Sequence, residues 1–373
     1  MPRIVCIGPY KPQLLEPERF QLFVENDKII DVNIELGYVH RGVEDLFTER
    51  TYMQNLALAE RICGICSGVH TLCYAQTAES IMDVEVPDRA RYLRCIYMEL
   101  ERLHSHFLWF GVLAHTLHEH KVFLKVMTER ERIQALLEYL TGNRIHYLIN
   151  TVGGVRRDIT PKKAERIRDV LKDMKDLSNY LLMLLNNDGV FVEKTEGVGV
   201  LSRSIALDVG AVGPTLRGSG VKSDIRRDDS YAAYGEIDFE ITTEDEGDVL
   251  ARTRVRARET LESIRIIEQS LQNLPEGEIS VKPGEPLEKE EIGRAEAPRG
   301  ELIYYIRSNG TNIPERVKIR TPSFANVFAL TEMLRGDNIQ NARLIIESID
   351  PCFACTDRIT IIDRNTGRRQ IWG

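Results

Sequence analysis

Hydrophobic and polar residues near the start of the chain alternate with a period of two, the pattern of a half-buried β-strand. Two apolar runs, at residues 20–24 and 29–36, flank the dipeptide Asn26-Asp27. Because Asn and Asp tolerate the left-handed backbone of a tight turn, this pattern predicts an antiparallel hairpin. We therefore expect residues 1–40 to form an N-terminal β region.

From residue 43 to about residue 147 the apolar positions recur every three or four residues, the period of an amphipathic helix. In the longest segment these positions are Leu93, Tyr97, Leu100, Leu103, Phe107, Phe110 and Ala114. Asp88, directly after Pro87, is expected to cap this helix. Further helices are expected over residues 122–140, from Thr160-Pro161 to about residue 186, and over residues 248–274.

Two stretches have no clear period. Residues 197–234 are rich in Gly, Arg and Asp and are expected to form ordered loops, and residues 275–298 are rich in Pro, Gly and Glu and predict a surface excursion. Its acidic run at 285–291 is interpreted as a solvated loop. The remaining predicted elements are strands at 302–307 and 316–320, a helix at 323–335, and a hairpin at 359–371 that turns at Asn365-Thr366-Gly367.

These elements predict a mainly α fold, a central helical bundle with small β elements at its periphery. We expect three regions: the N-terminal β region (1–40), a helical core (41–275) that contains the loop region 197–234, and a C-terminal α/β region (276–373) that ends in the hairpin. No internal repeat is visible.

Composition narrows the class of protein. Of the 373 residues 43% are hydrophobic and 28% are charged, which is typical of a globular protein. The formal net charge of -8 argues against a nucleic-acid-binding surface. The N-terminal residues lack the apolar core of a signal peptide. The uncharged stretch 103–118 is shorter than the roughly 18 apolar residues of a membrane-spanning helix.

The cysteines carry the candidate chemistry. Seven is an odd number, and nothing indicates export, so reduced thiols are expected. Four of them form two C-x-x-C pairs, Cys63 with Cys66 and Cys352 with Cys355. Two intervening residues let both thiolates of a pair point at one ion, and four soft thiolates suit zinc, an iron–sulfur cluster or nickel.

The spacing leaves three interpretations open. Zinc ribbons usually place their pairs about 15 to 20 residues apart, whereas 285 residues lie between Cys66 and Cys352. One metal held by both pairs would therefore join the two ends of the chain at the centre of the fold. Structural zinc and a redox role for either pair alone remain the alternatives.

The motifs around these cysteines resemble those of a known family. The segments are Arg61-Ile62-Cys63-Gly64-Ile65-Cys66-Ser67 and Asp350-Pro351-Cys352-Phe353-Ala354-Cys355-Thr356-Asp357-Arg358. Further matching segments are residues 37–44, 99–106, 153–159, 217–227 and 297–301. The chain is similar to the large, catalytic subunit of the energy-converting, membrane-bound nickel–iron hydrogenases, which is related to the 49-kDa subunit of respiratory complex I.

The resemblance implies a Ni–Fe(CN)2(CO) centre. Cys63 and Cys352 would be terminal thiolates on nickel, and Cys66 and Cys355 would bridge nickel and iron. Complex I relatives have lost these cysteines and use the cavity for quinone. Because all four are present here, the resemblance favours hydrogen chemistry, the interconversion of H2 with protons and electrons.

Further site residues follow from the same resemblance. Cys352 would be the first proton acceptor, and Glu16, before Pro17, would relay the proton, with Glu44 as the next candidate. Arg299 would lie over the metals, and Pro322 and Ser323 would bond an iron-bound cyanide. His70 would bond a bridging sulfur. Taken without the family, Glu16 is typical of a solvated surface residue, and Ser323 is typical of a helix N-cap.

The family also implies partners. The chain has no ferredoxin-type run of four cysteines, so electrons would leave through a small hydrogenase subunit that carries a proximal Fe–S cluster. Membrane subunits would translocate H+ or Na+, with ferredoxin as the indirect electron partner. The expected location is the cytoplasmic side of the cell membrane, as a peripheral subunit. The alternatives are a complex I-like module that reduces quinone or sulfur, and a zinc-stabilised structural subunit.

Overall fold

The computed structural model describes residues 2–10, 16–187, 189–363, 366–367 and 369–372. The helices of this part are α1 (Val43–Phe47), α2 (Tyr52–Glu60), α3 (Ser67–Ile81), α4 (Asp88–Thr116), α5 (His120–Thr141), α6 (Pro161–Asn186), α7 (Val190–Thr195), α8 (Arg203–Asp208), α9 (Gly213–Arg217), α10 (Ile225–Asp228), α11 (Val249–Gln272), α12 (Pro322–Val327), α13 (Ala329–Leu334) and α14 (Ala342–Ser348). The strands are β1 (Arg3–Ile7), β2 (Arg19–Glu25), β3 (Lys28–Glu35), β4 (Asn150–Thr151), β5 (Gly154–Val155), β6 (Glu288–Ala297), β7 (Gly300–Asn309), β8 (Arg316–Arg320), β9 (Ile359–Ile362) and β10 (Arg369–Trp372).

The long helices α4, α5, α6 and α11 pack against one another as the central bundle, which confirms the predicted mainly α class. Thr160 caps α6 by accepting the Lys163 N–H, as expected. The expected cap of α4 is wrong, because Asp88 is already the first helical residue. Its carboxylate instead accepts from Arg91 at 2.9 Å, one turn along the helix.

The N-terminal strands form the predicted antiparallel sheet, in the order β1-β2-β3. Asn26 and Asp27 have φ values of 48° and 62°, the left-handed turn that a tight hairpin requires. One face of the sheet shares a hydrophobic core with α13, α14 and the second C-x-x-C segment. The rings of Phe20 and Phe353 lie 6.0 Å apart in this core, so the start and the end of the chain pack together.

Two predicted loops contain regular structure. The loop region 197–234 contains the short helices α8, α9 and α10. The surface excursion 275–298 is wrong in its second half, because β6 pairs antiparallel with β7 in the sheet β6-β7-β8. As an edge strand, β6 exposes charged side chains along most of its length, and only its last three residues are buried. A polar edge strand therefore has the composition of a loop.

The end of the chain forms the predicted hairpin, in which β9 pairs antiparallel with β10. Thr366 and Gly367 lie between the two strands, whereas Asn365 of the predicted turn lies outside the described residues. The division into three regions stays a prediction. In the part of the chain that the structure describes, no helix combines the length and the apolar character needed to cross a membrane.

Candidate metal centre

The two C-x-x-C pairs meet in the interior. The sulfur atoms of Cys63 and Cys352 lie 3.4 Å apart, and those of Cys352 and Cys355 lie 3.2 Å apart. The sulfur atoms of Cys63, Cys66 and Cys355 all lie within 4.8 Å of one another. The four side chains are buried, and none forms a disulfide. Hydrogen bonds from the other three thiols hold the pKa of Cys63 well below its usual value.

The first pair lies on a tight turn between α2 and α3. The Cys63 sulfur accepts the main-chain N–H groups of Ile65 and Cys66, each at 3.3 Å. Directly after Cys66, the start of α3 is held by the buried Glu101 of α4. Its carboxylate accepts the N–H groups of Gly68 at 2.6 Å and Val69 at 2.9 Å. Acidic groups stabilise a helix N-terminus, because its first N–H groups have no partner within the helix.

The second pair lies on the 3-10 turn Phe353–Thr356, beside the start of α12. Ser323 Oγ accepts the Cys352 N–H at 3.0 Å, and Thr321 Oγ1 donates to the Cys355 carbonyl at 2.8 Å. The expected N-cap role of Ser323 is wrong, because Thr321 caps α12 and accepts the Phe324 N–H. Pro322 is buried between them as the first residue of the helix.

Glu16 reaches the second turn from the N-terminal region. One oxygen lies 3.6 Å from the Cys352 sulfur, and the other accepts the Ala354 N–H at 2.8 Å. Burial raises the pKa of the half-buried Glu16 carboxyl, and the bond from Ala354 partly opposes this. A carboxyl group with a raised pKa beside a thiol can exchange a proton with it.

Arg299 is buried at the turn between β6 and β7. Its guanidinium donates to the carbonyl of Asp350 at 2.6 Å, to the Asp350 carboxylate at 2.8 Å and to Ser105 Oγ at 3.2 Å. Burial works against its charge, but Asp350 and the thiols of Cys352, Cys66 and Cys63 raise its pKa well above the usual value. Arg299 therefore supplies a fixed positive charge near the thiols of Cys63, Cys66 and Cys352.

His70 is buried on α3, one turn after Cys66. Its Nε2 lies 3.8 Å from the Cys355 sulfur, and its Nδ1 lies 2.9 Å from Tyr304 OH. Burial lowers the pKa of His70 to about 4, so the ring is neutral at pH 7.

Glu44 is paired with positively charged side chains. Its carboxylate accepts from Arg358 at 2.9 Å and from the Ile319 N–H at 2.9 Å, and it pairs with Lys318 at 3.0 Å. It lines a surface cavity of about 570 Å³ between the residue 40–45 segment, β8 and the terminal hairpin, and also a small cavity that touches Cys355.

The donor set fits a soft metal. Four converging, buried thiols without a disulfide have the geometry of a thiolate site, in which sulfurs lie about 2.3 Å from the metal. The fixed charge of Arg299 offsets the negative charge of the thiolates. On donor chemistry alone, both nickel and zinc fit these four groups.

Among the contributing residues that were not assigned a role from the sequence are Glu101, Ser105 and Asp350. Glu101 and Ser105 lie in the 99–106 motif, and Asp350 precedes the second pair, so their position in those motifs was the available signal.

Comparison with known proteins gives two matching families. The sequence model described as "Respiratory-chain NADH dehydrogenase, 49 Kd subunit" matches residues 118–291 and 282–358. The model described as "Nickel-dependent hydrogenase" matches residues 41–118, the part that contains the first cysteine pair.

Individual relatives align over almost the full chain. The membrane-bound hydrogenase subunit alpha of Pyrococcus furiosus is 38% identical over 96% of this chain and 88% of its own length. The carbon monoxide-induced hydrogenase of Rhodospirillum rubrum is 40% identical over 95% of this chain and 99% of its own. A solved chain of the membrane-bound sulfane sulfur reductase, an archaeal respiratory membrane complex, is 32% identical, with a TM-score of 0.90 over 96% of this chain and 98% of that one.

Proposed function

This chain belongs to the family that unites nickel-dependent hydrogenases with the 49-kDa subunit of respiratory-chain NADH dehydrogenase. We propose that it is the catalytic large subunit of an energy-converting nickel–iron hydrogenase. One observation carries this proposal: four buried thiols from opposite ends of the chain converge on one point. A structural zinc site rarely requires partners so far apart in sequence.

In this proposal the four cysteines would hold a nickel–iron centre, Cys63 and Cys352 as ligands of nickel and Cys66 and Cys355 as ligands of both metals. The centre, when bound, would supply the redox chemistry that interconverts H2 with protons and electrons. Arg299 would stabilise the negative charge of the site and donate to iron-bound cyanide with the N–H groups that Asp350 and Ser105 leave free. Pro322 and Ser323 would line the same side, and Ser323 would also fix the Cys352 main chain.

Protons would move through groups of this chain. The Cys352 sulfur would hold a proton first and pass it to Glu16, whose oxygen lies 3.6 Å away. The bond from Ala354 orients this carboxylate, so the other oxygen faces the sulfur. His70 is neutral at pH 7 and would donate or accept a hydrogen bond at Cys355 without adding charge.

Electrons need a second protein. Both C-x-x-C motifs belong to the candidate metal centre, which leaves no cysteine motif in the sequence for an iron–sulfur cluster. The electrons would therefore pass to a small subunit with a proximal Fe–S cluster and then to ferredoxin. We further propose that membrane subunits couple this transfer to H+ or Na+ movement. The chain would then lie on the cytoplasmic side of the membrane, as a peripheral subunit.

A second candidate function is a complex I-like module that reduces quinone or sulfur. The favouring observations are the match to the 49-kDa subunit and the TM-score of 0.90 with a chain of a sulfane sulfur reductase. The family's complex I members lack the nickel–iron centre, so metal content separates these candidates from the hydrogenase.

The test is the metal content and infrared spectrum of the purified complex. We expect about one nickel per chain and infrared bands from iron-bound CO and CN. Cys352→Ser should remove both, whereas Cys95→Ser should leave them, because Cys95 is buried in another hydrophobic cluster. Zinc in place of nickel would support the structural alternative, and a complex without nickel that reduces quinone or sulfur would support the second candidate.

A further inference from the structure

The two C-x-x-C turns need something other than the metal to bring them together. The first turn continues into α3, whereas the second lies between α14 and the terminal hairpin. Because 285 residues separate Cys66 from Cys352, the local geometry of either turn does not fix the distance between the two turns. The groups that hold the turns in register therefore decide whether the four sulfurs converge.

Arg41 contacts both turns with one side chain. Its guanidinium donates to the carbonyls of Arg61 at 2.8 Å and Ile62 at 3.0 Å, directly before Cys63. It also donates to the carbonyl of Ala354 at 2.9 Å, between Cys352 and Cys355. A guanidinium carries five N–H groups in a rigid plane, so it can bond three carbonyls at fixed angles.

The main chain of Arg41 is tied back to the second turn. Asp357 lies two residues after Cys355, and its carboxylate accepts the N–H of Arg41 at 2.5 Å and the N–H of Val43 at 2.8 Å. Gly42 between them has a φ of +63°, the left-handed conformation that directs both N–H groups to one carboxylate. Arg41 is thus bonded to the second turn through its main chain and its side chain, and to the first turn through its side chain.

We propose that Arg41 is a positioning residue that sets the separation of the two C-x-x-C turns before any metal binds. It acts through the main chain of the turns and not by contact with the reacting atoms. Its functional meaning rests on the proposed function, but its effect on the distance between the cysteines does not. Arg61 offers a matched control, because it is an exposed arginine beside the same turn whose side chain donates to Ala57 O and Glu60 of its own helix.

The test measures thiol proximity in the full, metal-free chain. With Cys66→Ser and Cys355→Ser, diamide oxidises Cys63 and Cys352 to one disulfide, and the diamide is reduced to the hydrazine. We expect Arg41→Ala and Arg41→Lys to slow this bond by about tenfold or more, since each loses charged hydrogen bonds to one or both turns. Arg61→Ala should change the rate little.

A second cysteine pair shows whether the effect is specific. With Cys352→Ser and Cys355→Ser, the disulfide between Cys63 and Cys66 forms within one turn and should be insensitive to Arg41. In the assembled complex, Arg41→Ala should also lower nickel per chain, and Arg61→Ala should not. If Arg41→Ala fails to melt cooperatively, Arg41→Lys, which keeps the charge, decides the question.

Three results would overturn the proposal: a wild-type rate in Arg41→Lys, an equal loss in Arg61→Ala, or an equal slowing of the bond within one turn. A wild-type complex without nickel would refute the proposed function, yet the disulfide rates would still test the role of Arg41.

Discussion

The carboxylate of Glu16 lies beside the buried sulfur of Cys352, which makes Glu16 the candidate proton acceptor. Glu16→Gln keeps the shape of the side chain, and its amide oxygen can still accept the Ala354 N–H. The amide cannot take a proton from Cys352, so H2 evolution and H/D exchange should fall about 10²- to 10⁴-fold. Nickel content and the infrared bands should persist.

Glu18→Gln is the matched control, because Glu18 is a nearby buried glutamate that accepts the Arg19 N–H and contacts no cysteine among the described residues. It should retain activity. Normal turnover in Glu16→Gln would assign proton transfer to another group, and loss of nickel in that variant would show that Glu16 is structural.

Glu18 itself predicts a pH dependence of stability. Burial, together with Glu16 and Glu35, raises its pKa from 4.5 to about 8. Between these values the folded chain keeps a proton that the unfolded chain has lost, so stability falls as pH rises, by at most about 1.4 kcal/mol per pH unit. Glu18→Gln removes this contribution. Its melting temperature, relative to wild type, should therefore rise between pH 5 and pH 8, and a constant difference would contradict the assignment.

Sequence motifs singled out the four cysteines and Glu16 as candidate site residues, but they did not indicate the groups that orient these side chains. Arg41 and Glu101 bond main-chain atoms of residues distant in sequence, and such partners leave no pattern in a local motif. Ser323 and Thr321 flank Pro322 and both carry hydroxyls, so the residue type alone could not decide which one caps α12.

Where α9 packs against the turn between β6 and β7, a close contact of Gly213 positions the main chain of Arg299. A Cβ at Gly213, the first residue of α9, would collide with the carbonyl oxygen of Arg299 and with Cα of Gly300. Gly213→Ala should therefore displace the turn between β6 and β7 and destabilise the chain by about 1 to 3 kcal/mol beyond the cost of its left-handed backbone. Thermal melting and nickel content would measure this.

Gly210 isolates the steric part of that effect. It has a φ of +67°, close to the +64° of Gly213, but its Cβ would meet nothing within 4 Å. Gly210→Ala should thus carry only the backbone cost of about 1 to 2 kcal/mol. Equal melting temperatures for the two variants would mean that the turn yields without strain.

Long periodic helices were predictable, whereas polar edge elements were not. α6 buries one face, whereas α4 and α11 are buried on most sides. The bounds of all three agree with the sequence to within a few residues. β6 pairs with β7 and packs on α3, but most of its residues are charged and only its last three are buried, so its composition does not distinguish it from a loop.

In the whole molecule, the candidate metal centre joins Cys63 and Cys66 to Cys352 and Cys355, and most of the chain lies between the two pairs. A ligand that binds only the folded state stabilises it, and the gain is local where the rest is already packed. Removing the metal should therefore speed amide exchange at residues 61–67 and 350–358 much more than in α4 and α11. Hydrogen–deuterium exchange with mass spectrometry would detect this, and uniform exchange along the chain would be inconsistent with it.

The packing of Phe20 on Phe353 could not be read from the sequence, because neither residue carries a mark of its distant partner. The resemblance to a family supplied what the physical pattern lacked, namely that both cysteine pairs belong to one site. Local periodicity reports neighbours along the chain, whereas this core joins its two ends.

The separation of the cysteine pairs also has a consequence in time. The 285 residues between Cys66 and Cys352 take about 15 to 60 s to synthesise at 5 to 20 residues per second. During most of that interval Cys63 and Cys66 have emerged from the ribosome, while Cys352 and Cys355 have not yet been synthesised. The two thiols are then close together in sequence and lack their later partners, so a disulfide between Cys63 and Cys66 is the oxidation to expect in nascent chains. A metal held by all four cysteines, as proposed, could be inserted only after the second pair has been synthesised.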